Sequence, residues 1–420
     1  GASETVTLTF TPYDMASYDA YDKNQNDFWG YELEAGKYEL KLMKNSHEVI
    51  ESRDLTLSKG KTIDVDPVTQ AEIANRFTGK DSSWNDSYNG ASYAGLGSDG
   101  YEAGIKRDMW FTRADFAKTF PSSQGRGASG SVVNKANKYY NNEYAERLPK
   151  VYEVEQDAQL YLVEYAQLDE EKQPIEGTNV KATLNQLNGS DIEEGYGLVY
   201  NWDLMKELAE DYDGPIWDEF LNQMKVSEMK DLIELGGFHR VALESVGKNR
   251  EYDYDGPAGY NTNSLTGNWG GDQPDTNGWT AYESEALIGC CWNETLMLTM
   301  GMQQGAEASV TNVNGWYAPG VNLHRTPYTA RNYEYYSEDG VLSGKLAAYV
   351  ILGAKVNGLN CYLKHFVCSE EGPNAGGVNT WITEQNLREN YLRPFEIAVK
   401  EGHANSMMSA FNNVGSTWAG

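Results

Sequence analysis

Asn360-Cys361-Tyr362-Leu363-Lys364-His365-Phe366 is a short, largely apolar run whose end delivers a lysine and a histidine together. Two other runs have the same build, Trp316–Asn322 and Asn405–Asn412. Between them, Glu384 to Lys400 places Leu387, Tyr391, Leu392 and Phe395 at helical spacing. Further upstream, Ser227 is the expected N-cap of a helix carrying Met229, Leu232 and Ile233 on one face. From about Asn201 the chain thus alternates helix and strand. Polar residues at the ends of buried strands are where a parallel barrel keeps its active site. The pattern predicts a multidomain α/β plus β protein, with a partial (β/α)8 TIM-type barrel over residues 201–420.

The N-terminus reads differently. Val6, Leu8 and Phe10 alternate with threonines in Thr5–Thr11, giving one buried and one exposed face. Tyr38, Leu40 and Leu42 alternate after Gly36, and Val49 to Leu57 gives a third candidate strand. Three strands make only part of a sandwich, so residues 1–65 are expected to be the later part of a β-domain. Residues 66–200 form a linker or accessory region without assigned chemistry. Asp81–Gly100 and Ser122–Ser131 read as loops, Trp110–Phe116 starts a short helix, and Glu153–Tyr165 reads as a mixed strand.

Composition narrows the function. The 62 acidic and 34 basic side chains give a net charge of −28, which repels nucleic acid and anionic lipid and favours a neutral substrate. No apolar run has the length of a membrane span, roughly 18 residues or more, and Gly1-Ala2-Ser3-Glu4 is not a signal peptide. Tyr (29) and Trp (11) are plentiful, as suits stacking on sugar faces, although cores use the same residues. Cys290, Cys291, Cys361 and Cys368 form no C-x-x-C pair, so no zinc site is expected. They read as buried free thiols, which points to a reducing, cytoplasmic compartment rather than secretion.

Four clusters carry candidate chemistry. Asp255-Gly256-Pro257-Ala258-Gly259-Tyr260-Asn261 is either an ordinary Asp turn or a carboxylate set to accept two adjacent sugar hydroxyls. Pro319 to Asp339 crowds His324, Arg325, Arg331, several aromatics and the Glu338-Asp339 pair into one loop. Arg331 is expected to hold a carboxylate or a hydroxyl, and the adjacent acids to serve in structural salt bridges. Lys364 and His365 emerge together from a core strand, costly to bury without partners, and both can donate to hydroxyls. Met407-Met408-Ser409-Ala410-Phe411-Asn412 sets Met408 or Phe411 against either core or pocket.

Taken in order, DGPAG, APGVNLHR…ARNYEYYSED…LSG, LKHF and SMMSAFNNVG resemble glycoside hydrolase family 3 from Asp255 to Gly420. Tyr13–Asp19 with GYELEAGKYELKL resembles the family's fibronectin-III-like β-sandwich, here ahead of the barrel, as in the subgroup of inverted domain order. The resemblance implies a retaining β-glucosidase acting on cello-oligosaccharides or β-glucosides, without metal or cofactor. It implies substrate binding by Asp255, Arg331, Lys364 and His365, with Met408 on the pocket wall, and structural roles for His324 and Arg325. The family's nucleophile Asp follows the SAFN segment and its acid/base Glu belongs to a sandwich domain, so no catalytic carboxylate is expected within these residues. The expected partners are therefore a small sugar substrate and further polypeptide completing the barrel, with a homodimer as the assembly. Asn261 and Ala375 stand where many β-glucosidases of the family carry arginine. That difference keeps open a β-xylosidase or α-arabinosidase, and a non-catalytic sugar-binding protein is the third reading.

Overall fold

The computed structural model describes most of residues 5–73, 202–261, 279–370 and 379–419. The features expected within 74–201, and Ala375, lie outside the described residues.

The N-terminal unit starts with a single helical turn, α1 (Pro12–Met15), in which Asp14 accepts from Thr11 N at 2.8 Å. Strands β1 (Ser17–Asp19), β2 (Gly30–Leu33) and β5 (Lys61–Ile63) make a small antiparallel sheet around Tyr18, Tyr31 and Ile63. Between β2 and β5 the chain forms a long hairpin, β3 (Gly36–Asn45) with β4 (Glu48–Leu57), where strands are expected, although Leu42, Val49 and Ile50 are exposed. Asn45 Oδ1 closes its turn by accepting from His47 N and Glu48 N at 2.9 and 3.1 Å. The strand expected at Thr5–Thr11 is absent from the described residues there: Leu8 is 74% and Phe10 50% exposed. An alternating pattern makes a strand only when a neighbour completes its backbone ladder, and none of the described residues does so.

Residues 202–250 begin with three amphipathic helices, α2 (Trp202–Glu210), α3 (Pro215–Asn222) and α4 (Val226–Glu234), packed around Leu204, Leu208, Phe220 and Met224. Helix α4 starts two residues earlier than Ser227 implies. Its N-cap is Lys225, whose N–H donates to Glu228 at 3.0 Å. A carboxylate at N3 serves here in place of a hydroxyl cap. Met229 and Leu232 face the cluster, but Ile233 is 83% exposed, because the buried stripe is narrower than the sequence suggests.

The larger body is a five-stranded sheet in the order β11-β9-β8-β7-β6. Strand β6 (His239–Arg240) runs antiparallel to β7 (Glu251–Asp255), and every other pair is parallel. After β7 come the short α5 (Glu285–Ile288) and α6 (Glu294–Thr311), then β8 (Gly315–Tyr317), α7 (Gly340–Lys355) and β9 (Asn360–Phe366). Beyond β10 (Asn379–Thr380), α8 (Glu384–Asn386) and a π turn at Leu387–Tyr391 lead to α9 (Arg393–Lys400) and β11 (Ser406–Ser409). The parallel strands advance in one direction without doubling back, as in a barrel wall rather than a doubly wound sheet. The helix expected over Glu384–Lys400 is thus broken near Leu392, where Pro394 has no N–H to continue the ladder.

Helices α6 and α7 touch backbone to backbone. A Cβ on Gly301 would meet Val350 O at 2.1 Å, and one on Gly353 would meet Leu298 O at 2.2 Å. Asp339 starts α7 by accepting from Val341 N and Leu342 N at 2.8 Å each, so it is a helix cap rather than a salt-bridge partner. Of the four free cysteines, Cys361 and Cys368 are buried as expected. Cys290 is exposed and Cys291 half-buried, because both lie on a surface turn.

The N-terminal unit docks on α9 and the turn before it. Tyr13 Oη donates to Glu396 at 2.9 Å, Tyr18 N to Glu389 at 2.6 Å, and Arg393 to Asp14 at 3.3 Å, and Lys400 pairs with Asp66.

Candidate functional site

The C-terminal end of β7 places Asp255 at the mouth of a cleft of about 360 Å³. Its walls include the Gly256–Asn261 turn, Trp279, Arg331, Tyr333 and Glu334. The turn needs its glycines. Gly256 has φ +118° and Gly259 φ +114°, and a Cβ on either would strike a carbonyl oxygen at 2.1 or 2.3 Å. Trp316, fully buried on β8, ties the turn down by donating Nε1–H to Gly256 O at 2.8 Å.

Lys364, 1% exposed on β9, donates to Asp255 Oδ1 at 2.6 Å and pairs with Glu334 Oε2 at 3.2 Å. Glu334 is itself 4% exposed and also binds Arg331 Nε. One carboxylate thus bridges both cations. Burial opposes the Arg331 charge, but the Glu334 hydrogen bond and charge more than offset it, so its pKa lies above the ordinary value. Asp255 Oδ1 also accepts from Gly256 N at 2.8 Å. Its second oxygen has no partner among the described residues, and the side chain is about one-third exposed.

His365 lies behind this group, 3% exposed. Its Nε2 is 2.8 Å from Arg331 Nη2 and its Nδ1 is 3.1 Å from Tyr335 Oη and 3.3 Å from Asn322 Oδ1. Burial, reinforced by the Lys364 and Arg331 charges, pushes its pKa well below the histidine range. With His365 neutral, two cations face two carboxylates, Asp255 and Glu334. The cluster thus presents both hydrogen-bond donors and acceptors.

Two more acids lie deeper. Glu285 is 1% exposed and accepts from Gly320 N with both oxygens, at 3.2 and 3.1 Å. Burial raises its pKa well above the carboxyl range. Burial also raises Glu370 to about 7, although Asn322 and Leu323 N donate to it. Among the described residues, no group of three or more His, Cys, Asp or Glu could hold a metal ion.

The structure therefore gathers Asp255, Arg331, Lys364 and His365 into one connected cluster, with only Asp255 and Arg331 lining the cleft. Met408 is half-buried on β11 and is not among the cleft's lining residues. His324 takes a structural position, its Nε2 2.9 Å from Asn332 O and 2.7 Å from Tyr335 O. Sequence reasoning assigned no role to Glu334, Asn322 or Glu370. A glutamate three positions from Arg331 was the available signal for the first, because that spacing lets the two meet within one turn.

Residues 270–419 match the glycosyl hydrolase family 3 N-terminal domain, a TIM-barrel-type fold. Over 206 residues the chain is 33% identical to β-glucosidase A of Butyrivibrio fibrisolvens, covering 47% of this chain and 24% of that protein. Over 135 residues it is 37% identical to the thermostable β-glucosidase B of Acetivibrio thermocellus, covering 32% and 18%. Among solved structures, β-glucosidase 3B of Thermotoga neapolitana in complex with glucose is 35% identical, with a TM-score of 0.40, covering 44% and 26%. The chain thus spans a quarter or less of the length of these two curated relatives. The match over residues 270–419 agrees with the resemblance that the motifs carry.

Proposed function

We propose that this chain supplies the nonreducing-sugar subsite of a retaining β-glucosidase that cleaves terminal glucosyl residues from cello-oligosaccharides or other β-glucosides. The observation that carries the reading is the Asp255–Lys364–Glu334–Arg331 cluster, electrically balanced at a strand end beside an open cleft. Asp255 accepts from adjacent hydroxyls, and Arg331 donates to them from the opposite wall. Lys364 pairs with the Asp255 carboxylate and orients it. In double displacement an Asp attacks the anomeric carbon and a Glu protonates the departing oxygen, then activates water. Both carboxylates come from polypeptide outside these residues, either the remainder of the protein or a second chain that completes the barrel, and the assembly is a homodimer. Residues 1–65 are the later part of a fibronectin-III-like sandwich, a reading supported by the β1-β2-β5 sheet and the β3–β4 hairpin. The setting is the cytoplasm, a reading supported by the free thiols; no described helix is long and apolar enough to cross a membrane.

The test is hydrolysis of an aryl β-glucoside by protein that includes these residues and both carboxylates, with the anomer of the first product read by NMR. Retention with turnover supports the reading, and no turnover on any aryl β-glycoside ends it. Asn261 lines the cleft without a guanidinium, which favours a second reading as a β-xylosidase or α-arabinosidase. Faster cleavage of the xyloside than of the glucoside would select it.

A further inference from the structure

We infer that Asn322 is a positioning residue that locks His365 as the neutral, Nδ1-protonated tautomer, with Glu370 anchoring its amide. The chain of hydrogen bonds leaves little choice. His365 N can only donate, and it lies 2.8 Å from one terminal atom of Asn322, which must be the oxygen. His365 O can only accept, and it lies 3.0 Å from the other, which must be the nitrogen. The Asn322 oxygen so fixed is also 3.3 Å from His365 Nδ1, where it calls for a proton. On the other side of the ring, Arg331 Nη2 carries only hydrogens to give, so Nε2, 2.8 Å away, must present its lone pair. Tyr335 Oη, 3.1 Å from Nδ1, can give or accept and decides nothing.

Glu370 holds the arrangement from behind. Its Oε1 accepts from Asn322 Nδ2 at 3.3 Å and from Leu323 N at 3.4 Å, and the residue is 2% exposed. Asn322 itself is 1% exposed, so water does not compete for its amide. The depressed histidine pKa agrees with a ring kept neutral. The consequence reaches the cleft. Arg331 is held at Nε by Glu334 and at Nη2 by a lone pair of His365, leaving Nη1 for a ligand oxygen. His365 thus orients the donor and does not itself donate through Nε2, contrary to what a Lys-His pair suggests from sequence.

The readout is the ring-nitrogen NMR spectrum of the full chain labelled with 15N-histidine, between pH 6 and 8. The His365 signals are assigned by their loss in His365→Gln. Expected is one protonated nitrogen at Nδ1 and one bare nitrogen at Nε2, unchanged over the range. Tyr335→Phe and Arg331→Met should each keep that pattern. Adding Asn322→Ala to Arg331→Met, checked for native near-UV dichroism, should move the proton to Nε2 or give a mixture, because Arg331 then no longer opposes a proton there. A proton on Nε2 in the native chain, or an imidazolium titrating there, overturns the inference. So does a folded Asn322→Ala/Arg331→Met double variant with the tautomer intact, or its loss in Arg331→Met or Tyr335→Phe alone, which decides the matter should the double variant not fold. The inference rests on the same pocket as the glycosidase reading but needs no sugar, so a failed sugar titration with the tautomer intact sinks only that reading.

Discussion

Lys364 Nζ stands 2.6 Å from Asp255 Oδ1, joining the ends of two parallel strands across 109 positions of chain. Strand β8 lies between the strands that carry them, so the ammonium reaches past a neighbour to meet the carboxylate. Glu334 closes the group from the loop between β8 and α7.

Glu334→Gln removes the carboxylate shared by Lys364 and Arg331, leaving an almost fully buried ammonium short of one counter-charge. Breaking a buried pair in this way costs ~3–5 kcal/mol. Urea unfolding should show that loss, and a difference under ~1 kcal/mol, the scale of a surface pair, would mean the bridge is solvated.

Asp255→Asn keeps the side chain's size but replaces one acceptor oxygen with a donor and removes the charge. Hydrogen bonds to charged groups are worth ~1.5–3 kcal/mol, so glucose should bind roughly 10- to 100-fold more weakly. Titration calorimetry on protein containing these residues measures it. Equal affinity in the variant would remove Asp255 from the sugar site.

Glu370→Gln should change how stability depends on pH. The native pKa of Glu370, about 7, is above the unfolded value near 4.5, so between them the native state binds the extra proton. Its contribution is therefore fully present below ~4.5 and lost as pH rises through ~7, with a span of ~3 kcal/mol. The glutamine accepts the same two hydrogen bonds without charge. Relative to wild type, the variant should gain stability between pH 5 and pH 8, read from urea unfolding at both. A difference independent of pH would show that Glu370 titrates elsewhere. His365 works in the opposite sense, its contribution being present above ~6.5 and lost as pH falls, and it cancels in the comparison.

Gly353→Ala should separate helices α6 and α7, since the new methyl would stand 2.2 Å from Leu298 O and 2.7 Å from Met302 N. Overpacking of this kind costs ~1–3 kcal/mol. Thermal unfolding checks it, and an unchanged midpoint would show that the helices slide apart freely.

The strand–helix rhythm was legible from Glu251 onward, because buried strands and amphipathic helices write their periods into the residues themselves, whereas residues 202–234 hold three helices in succession instead of the expected alternation. Asn360–Phe366 is a strand as read, and α9 buries Phe395 as its spacing requires. The Thr5–Thr11 pattern misled for the complementary reason, since alternation marks which face could be buried but supplies no partner strand. Ser227 lost the cap to Lys225 because the Glu228 carboxylate, also held by Ser245 N at 2.9 Å, fixes the start of the helix from another segment.

By itself the sequence determined the βα order, the Asp255 turn and the strand-end place of Lys364 and His365, since residue type and strand-end position are local properties; that these residues and Arg331 share one site came from the family resemblance. Tertiary structure alone decided that Glu334 bridges both cations, that Asn322 and Glu370 back His365, and that only Asp255 and Arg331 reach the cleft wall. Those are matters of a few ångströms between distant segments. Whether a buried charge is paired, and which ring nitrogen keeps its proton, depends on partners that no local pattern specifies.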